Sequence, residues 1–144
     1  MAVRAKPRGH VLAANALFGF FEGRKGVAEK TRTLLEQSFS NNVLLLISAV
    51  TWGEVFYLEW RYRGEAKAYE TESKVRQLPI AIVSVDQERA TRAGALKQKH
   101  GLSYADSFAA ELAIERKAWL VTADQEFEKV GGALSLLLLP RYEK

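Results

Sequence analysis

The sequence predicts an α/β protein, a three-layer sandwich with a central parallel sheet of about five strands. Short apolar runs of strand length alternate with amphipathic stretches of helix length. Several of these runs are continuously apolar, which is typical of strands that helices cover on both faces. The candidate strands are residues 10–12, 43–47, 81–85, 119–121 and 135–139.

Helical periodicity fills the intervals between the candidate strands. The candidate helices are residues 14–22, 27–39, 51 to about 78 with a possible break, 87–100, 104–117 and 124–130. Strands and helices that alternate with right-handed crossovers form a doubly wound sheet. In such sheets the functional crevice lies beyond the carboxyl ends of the strands, where the strand order reverses. Functional residues are therefore expected at strand ends and at the starts of the following helices.

The length and composition indicate one domain. The 144 residues contain no repeat and no linker, which predicts a single domain at 10–140 between a basic flexible tail at 1–9 and a short tail at 141–144. The chain has no cysteine, which excludes disulfides, thiolate zinc sites and cysteine nucleophiles and agrees with a cytoplasmic location. Its apolar runs are too short to span a membrane.

A net charge of +4 mildly favours a polyanionic partner. The basic residues occur in two clusters, in which they either contact a nucleic acid or form solvated helix faces. The first cluster is Arg61, Arg63 and Lys67, and the second is Arg89, Arg92, Lys97 and Lys99. Helix faces are the more common explanation for such charge runs.

Three carboxylates are predicted to meet at one edge of the sheet. Glu54 opens the helix that follows strand 43–47, and Asp106 opens the helix that leads into strand 119–121. Asp124 comes just after that last strand. A helix that follows a parallel strand begins at the carboxyl edge of the sheet, so all three acids are expected on the same side.

Clustered carboxylates repel each other unless a cation lies among them. Oxygen ligands suit Mg²⁺ or Mn²⁺, which bind through a few carboxylates, several waters and a substrate phosphate. Such an ion polarises a phosphodiester and helps to generate hydroxide. The chemistry indicated is phosphodiester hydrolysis.

Each acid taken alone also fits a helix cap. Thr51 and Glu54 have the spacing of a capping box, Ser103 and Asp106 have a similar spacing, and Asp124 can cap a short helix. The remaining aspartate, Asp86, follows strand 81–85 and is interpreted only as a cap, because that strand is expected to lie further from the switch point.

Four segments resemble PIN-domain ribonucleases, especially the VapC-type toxins of prokaryotic toxin–antitoxin pairs. Residues 102–113 (LSYADSFAAELA) and 120–127 (LVTADQEF) are similar to the C-terminal half of that family. Residues 48–55 (SAVTWGEV) resemble its central glutamate segment, and residues 11–17 (VLAANAL) resemble its opening strand and turn. The resemblance covers nearly the whole chain outside the two tails.

This resemblance implies a magnesium- or manganese-dependent endoribonuclease that is held in check by an antitoxin and is usually a homodimer. Glu54, Asp106 and Asp124 would form its acidic metal site. Asn15 and Thr122 would be polar neighbours that orient ligands or phosphate.

The chain departs from the family pattern at Ala13, where the family has an aspartate directly after the first strand. The loss of one of four acids is expected to weaken metal binding and to leave its water poorly placed, so nuclease activity should be impaired or absent. The alanine is an engineered substitution, a natural degeneration or the sign of a shifted alignment. Because Asn15, Ala16 and Leu17 fit the motif so well, a single deliberate substitution is favoured.

Two other functions compete with a nuclease. One is a catalytically dead PIN-like module that binds RNA or a protein partner. The other is a flavodoxin-like signalling domain, which lacks support because no acceptor aspartate and partner lysine stand out. His10 and His100 have no metal-ligand spacing and are expected to be structural.

The first and third helices are unusually aromatic, which predicts core packing and, from the resemblance, a dimer contact or an antitoxin groove. These aromatic residues are Phe18, Phe20, Phe21, Trp52, Phe56, Tyr57 and Trp60.

Overall fold

The computed structural model describes residues 6–140, so the predicted tail 141–144 and the first five residues of the predicted basic tail lie outside the described residues. At the centre is a five-stranded sheet with the order β3-β2-β1-β4-β5. All neighbouring strands are parallel, which confirms the predicted sheet. The strands are β1 (His10–Leu12), β2 (Leu45–Ser48), β3 (Ile80–Val83), β4 (Trp119–Thr122) and β5 (Ser135–Leu138).

Within residues 6–140, six α-helices and one 3₁₀ helix connect the strands. The α-helices are α1 (Ala14–Glu22), α2 (Val27–Asn41), α3 (Ala49–Arg63), α4 (Glu65–Val75), α5 (Gln87–His100) and α6 (Tyr104–Arg116). The long helix predicted from residue 51 is broken between α3 and α4 at Gly64, whose φ of 93° suits glycine and disfavours other residues. The segment predicted as a helix over 124–130 is a 3₁₀ helix, Gln125–Ala133, with a kink at Gly131.

The helices cover both faces of the sheet. Consecutive strand residues point to opposite faces, so Leu12 and Val121 pack with α1 and α2, whereas Val11 and Leu120 pack with α6. Two apolar cores therefore form, one on each side of the sheet. This arrangement confirms the three-layer sandwich.

From β1 the chain continues to β2 and β3 on one side of the sheet and then crosses to β4 and β5 on the other side. The strand order therefore reverses at β1. The switch point is therefore between the carboxyl ends of β1 and β4. There the backbone N–H of Ala13 donates to the carbonyl of Val121 at 3.0 Å, which extends the pairing one residue beyond β1. The edge strand β3 lies away from this point, and Asp86 caps α5 by accepting from the N–H of Arg89 at 2.9 Å, as predicted.

The backbone preceding β1 is also attached to the sheet. The N–H of Arg8 donates to the carbonyl of Lys117 at 2.8 Å, and the N–H of Trp119 donates to the carbonyl of Gly9 at 3.0 Å. Residues 8 and 9, which belong to the predicted basic tail, thus run beside the start of β4. Among the helices of residues 6–140, none combines the length and the apolar character that crossing a bilayer requires.

Candidate active site

Asp106 is the central acid of the candidate site. It lies in the first turn of α6, where its N–H donates to Oγ of the N-cap residue Ser103 at 3.2 Å. Burial raises the pKa of its carboxyl group, a hydrogen bond from Ser103 opposes this shift, and the negative charges of Asp124 and Glu126 add to it. The protein environment therefore makes the ionised form of Asp106 less favourable than it is in water.

Glu54 faces Asp106 from α3. It is half-buried, and its pKa is raised first by burial and then by the negative charge of Asp106. This effect of Asp106 on Glu54 indicates that α3 and α6 bring the two carboxylates into electrostatic contact. Because Glu54 lies one turn inside α3, its side chain is free of any role at the helix terminus.

Asp124 is held at the carboxyl end of β4 by a small polar network. Its Oδ1 accepts from the N–H of Glu126 at 2.9 Å and caps the 3₁₀ helix, while its own N–H donates to Oγ1 of Thr122 at 3.0 Å. Within residues 6–140, Oδ2 of Asp124 has no hydrogen-bond partner. The capping role and a role in metal binding are compatible, since they use different oxygens.

Asn15 joins the turn after β1 to the turn after β4. Its Nδ2 donates to Oγ1 of Thr122 at 2.9 Å, and its Oδ1 accepts from the N–H of Ala123 at 2.8 Å. The structure thus brings Asn15 and Thr122 together, and both contacts fix the loop that carries Asp124. Asn15 and Thr122 therefore act directly on the position of Asp124.

Ala13 occupies the middle of this edge, directly after β1. It is completely buried, and it is the N-cap residue of α1 although alanine offers no side-chain hydrogen bond there. Its methyl group belongs to the same apolar core as Ala109 and Ala110 of α6. At the switch point of the sheet the chain therefore has a buried methyl group.

The acids form pairs and not a closed cage. In the part of the chain that the structure describes, no three His, Cys, Asp or Glu side chains form a group able to hold a metal ion. The electrostatic neighbours are instead Glu54 with Asp106 and Asp106 with Asp124. Such pairs suit Mg²⁺ or Mn²⁺, which keep several waters and use one or two carboxylates plus a substrate phosphate. The donor set therefore fits a site in which water supplies most of the metal ligands.

The predicted capping box of Thr51 and Glu54 is wrong. The helix begins two residues earlier, at Ala49, because Ser48 is the N-cap and its Oγ accepts from the N–H of Val50 at 3.2 Å. Thr51 is consequently inside α3, where its side chain is buried and its Oγ1 has no hydrogen-bond partner. Glu54 is thereby released from the capping function that the spacing indicated.

Two residues of the site were not predicted in these roles. Glu126 contributes negative charge to the surroundings of Asp106, and Ser103 hydrogen-bonds to the Asp106 side chain. Glu126 could have been found from its spacing, since it lies two residues beyond Asp124 at the start of the same short helix. From the sequence, Ser103 was predicted only as a residue that caps the helix containing Asp106.

The two basic clusters are largely engaged in contacts within the protein. Arg89 and Arg92 bind the buried carboxylate of Glu111 at 3.2 and 2.9 Å, and Arg89 also reaches Glu115 at 3.2 Å. The remaining contacts are Arg61 with Tyr57, Arg63 with Glu59 and the carbonyl of Phe21, Lys67 with Glu70, and Lys97 with the carbonyl of Leu102. Arg63, Arg89 and Arg92 join different helices, so the prediction of solvated helix faces was also incomplete.

The aromatic residues divide into a core group and a surface group. Phe18 is buried, and Phe20, Phe21 and Trp52 pack against the apolar core, as predicted. On the α3–α4 hairpin, Phe56 contacts Trp52, Trp60 and Tyr69 in a connected set of ring pairs. The rings of Trp60 and Tyr69 remain 43% and 53% exposed, so they present an apolar surface to solvent. The term aromatic surface is used below for Phe56, Trp60 and Tyr69.

The PIN domain family model matches residues 11–133. The fold is similar to VapBC2 from Rickettsia felis bound to a promoter DNA fragment, with a TM-score of 0.69 and 17% identity over 92% of this chain and 99% of that chain. It is also similar to Mycobacterium tuberculosis VapC20, a sarcin–ricin loop cleaving toxin, with a TM-score of 0.69 and 12% identity over 85% and 95% of the two chains.

A further similar structure is a toxin–antitoxin complex from Klebsiella pneumoniae, with a TM-score of 0.62 and 22% identity over 90% of this chain and 96% of that chain. No curated protein matches the chain in sequence. The family model spans β1 to the end of the 3₁₀ helix and so includes every acid described above. The chain belongs to the PIN domain family.

Proposed function

We propose that this chain has the scaffold of a Mg²⁺- or Mn²⁺-dependent endoribonuclease, the toxin component of a toxin–antitoxin pair, and that Ala13 leaves it inactive or strongly impaired. The observation that carries the proposal is the electrostatic contact of Asp106 with both Glu54 and Asp124 at the edge of the sheet where the buried Ala13 follows β1. Glu54, Asp106 and Asp124 would hold the ion, which would polarise the RNA phosphodiester and activate water.

The loss at Ala13 acts on affinity and on geometry together. Without a carboxylate at this position the ion relies on pairs of acids from α3, α6 and the turn after β4. The water that attacks phosphorus is positioned by the metal, so a loosely held metal leaves it misplaced. RNA is the preferred substrate class because VapC20, which shares the fold, is a toxin that cleaves the sarcin–ricin loop.

The test is restoration of cleavage by Ala13→Asp. The variant and the parent chain are incubated with labelled RNA in Mg²⁺ or Mn²⁺ and in EDTA, and cleavage is measured on gels. We expect cleavage only for the variant and only with metal. Ala13→Asn is the matched control, since it has the same shape and capping ability without the charge. Ala13→Asp combined with Asp106→Asn should be inactive. A restored variant that binds metal and cuts no RNA would overturn the proposal.

A catalytically dead module that binds RNA or protein is the second candidate function. It is favoured by the complete burial of Ala13, whose methyl group the core accommodates, and by the intact Asn15 to Thr122 contact beside it. This function predicts no cleavage after Ala13→Asp and RNA or partner binding that Glu54→Gln leaves unchanged. The same set of variants therefore distinguishes the two functions.

An antitoxin is the proposed protein partner, and the cytoplasm is the proposed location. Several proteins with this fold form VapBC complexes, which supports a partner of this kind. The aromatic surface on α3 and α4 suits an amphipathic segment that binds with its apolar side. A homodimer is the competing use of the same surface. The double variant Trp60→Ala with Tyr69→Ala should no longer bind a co-expressed antitoxin. If the double variant instead changes from dimer to monomer, the surface serves self-association.

A further inference from the structure

A second candidate binding site lies at the opposite edge of the sheet. A pocket of about 580 Å³ opens beside the amino ends of β4 and β5 and the end of α6. Its lining includes Lys6, Arg8, Arg116 and Lys117, and none of its described lining residues is acidic. The two edges of the sheet thus carry opposite charges, with acids at the carboxyl edge and cations at the amino edge.

Three of these cations have no counter-charge in the described part of the chain. Arg116 pairs with Glu115 at 2.8 Å, whereas no ion pair engages Lys6, Arg8 or Lys117 between residues 6 and 140. This differs from Arg89 and Arg92, whose charges are balanced by buried Glu111. An anion in the pocket would therefore find unpaired cations.

The backbone fixes the walls of this pocket. The N–H of Arg8 donates to the carbonyl of Lys117 at 2.8 Å, so two cationic residues from distant parts of the sequence are held side by side. Lys117 has a φ of 53°, a left-handed conformation in which a side chain is unfavourable and glycine or asparagine is usual. A cation at the end of α6 is favoured by the helix dipole, which accounts for Arg116 and Lys117. The dipole does not account for Lys6 and Arg8, which come from a separate segment.

We infer that this pocket binds backbone phosphates of RNA on the side of the protein opposite the acids. The inference rests on the proposed function, because it assigns the pocket to the same RNA. Asp106 near the start of α6 and Arg116 at its end are separated by a helical rise of about 15 Å, so an RNA that contacts both edges must extend over at least this length of the protein. Phosphate contacts of this kind position a nucleic acid without reading its sequence.

The test is RNA binding by the chain with Ala13, in EDTA, so that no cleavage is needed. Fluorescence anisotropy measures the affinity for labelled single-stranded RNA of about 12 nucleotides and of about 4 nucleotides over a range of salt concentrations. For the longer RNA, Lys6→Ala with Arg8→Ala should reduce the slope of log affinity against log salt by about 1.4, or about 0.7 for each phosphate contact. A tetranucleotide is able to occupy the pocket by itself, so the shorter RNA should show a similar reduction. Lys25→Ala with Lys30→Ala removes the same charge from exposed residues elsewhere and is the matched control.

A second variant protects the test against misfolding. Lys117→Gly removes one cation and places glycine at a left-handed position, so it should fold at least as stably while reducing the slope by about 0.7. The inference is overturned if neither variant changes binding of the longer RNA, or if the control weakens it equally. It is also overturned if polyglutamate competes for the pocket as well as RNA does, which would assign the pocket to an acidic protein. Absence of cleavage by Ala13→Asp would contradict only the proposed function.

Discussion

Asn15 and Thr122 hydrogen-bond at 2.9 Å across the switch point, between the turn after β1 and the end of β4. The same Thr122 hydroxyl accepts from the N–H of Asp124, so one buried side chain aligns two loops. These polar residues therefore define the carboxyl edge of the sheet on which the acids lie. Their removal should disturb the fold and the acidic site together.

Thr122→Val is expected to lower the free energy of unfolding by about 1–3 kcal/mol. Valine has the shape of threonine, so the packing is retained while the amide of Asn15 and the N–H of Asp124 both lose an acceptor. Urea denaturation followed by circular dichroism measures the change. Thr122→Ser is the control, because it retains the hydroxyl. A valine variant that is as stable as the serine variant would show that the hydroxyl has no role in holding the two loops.

Ala13→Asp should make the stability of the protein depend on divalent metal. A new N-cap contributes about 1 kcal/mol to α1, but burial of a charge next to other acids costs several kcal/mol. In EDTA the variant should therefore melt below the parent chain. A metal at a free concentration of 100 times its Kd raises the free energy of unfolding by about 2.7 kcal/mol. Thermal melts with EDTA and with Mn²⁺ should show this shift for Ala13→Asp and not for Ala13→Asn. Equal shifts would mean that the metal binds elsewhere.

The fold was predictable because its signals are local. Apolar runs and helical periodicity located all five strands, and the predicted break in the long helix occurs at Gly64. The start of α3 was not predictable, since Ser48 and Thr51 are both good N-cap residues. The choice between them depends on where β2 ends, and the pairing of Ser48 with Val83 extends β2 to that residue.

The site was predictable only in part. Topology places Glu54, Asp106 and Asp124 at one edge, but the central place of Asp106 depends on the directions of side chains, which periodicity does not give. The ion pairs of Glu111 were not predictable for a similar reason. They require α5 to pack against α6, and a glutamate inside a helix usually faces solvent.

Acidic pH should stabilise the protein through the carboxyl pair. The pKa values of Glu54 and Asp106 are raised in the folded state, so the folded chain binds protons more tightly than the unfolded chain. This contribution is fully present below the unfolded pKa of about 4 and is lost as pH rises through the raised folded values. Asp106→Asn should gain stability over the parent chain as pH rises from about 4 to about 7. Urea denaturation across this range measures the effect. Glu128→Gln changes an exposed glutamate and is the control. A difference between Asp106→Asn and the parent chain that stays constant over this range would contradict the prediction.

Glu111 is expected to be a charged residue on which stability depends strongly, although it lies outside the candidate site. Its carboxylate is 3% exposed and binds Arg89 and Arg92, so Glu111→Ala leaves the Arg89 guanidinium, itself only 13% exposed, without its main partner. Removal of one member of a buried pair typically costs about 3–5 kcal/mol. Replacement of both members by apolar residues, as in Arg89→Met with Glu111→Leu, should recover most of that loss, since no charge is left buried. Glu70→Ala, which breaks an exposed contact with Lys67, should have a far smaller effect. Denaturation curves of the three variants test this prediction. A double variant as unstable as Glu111→Ala would show that lost packing, and not a buried unpaired charge, causes the loss of stability.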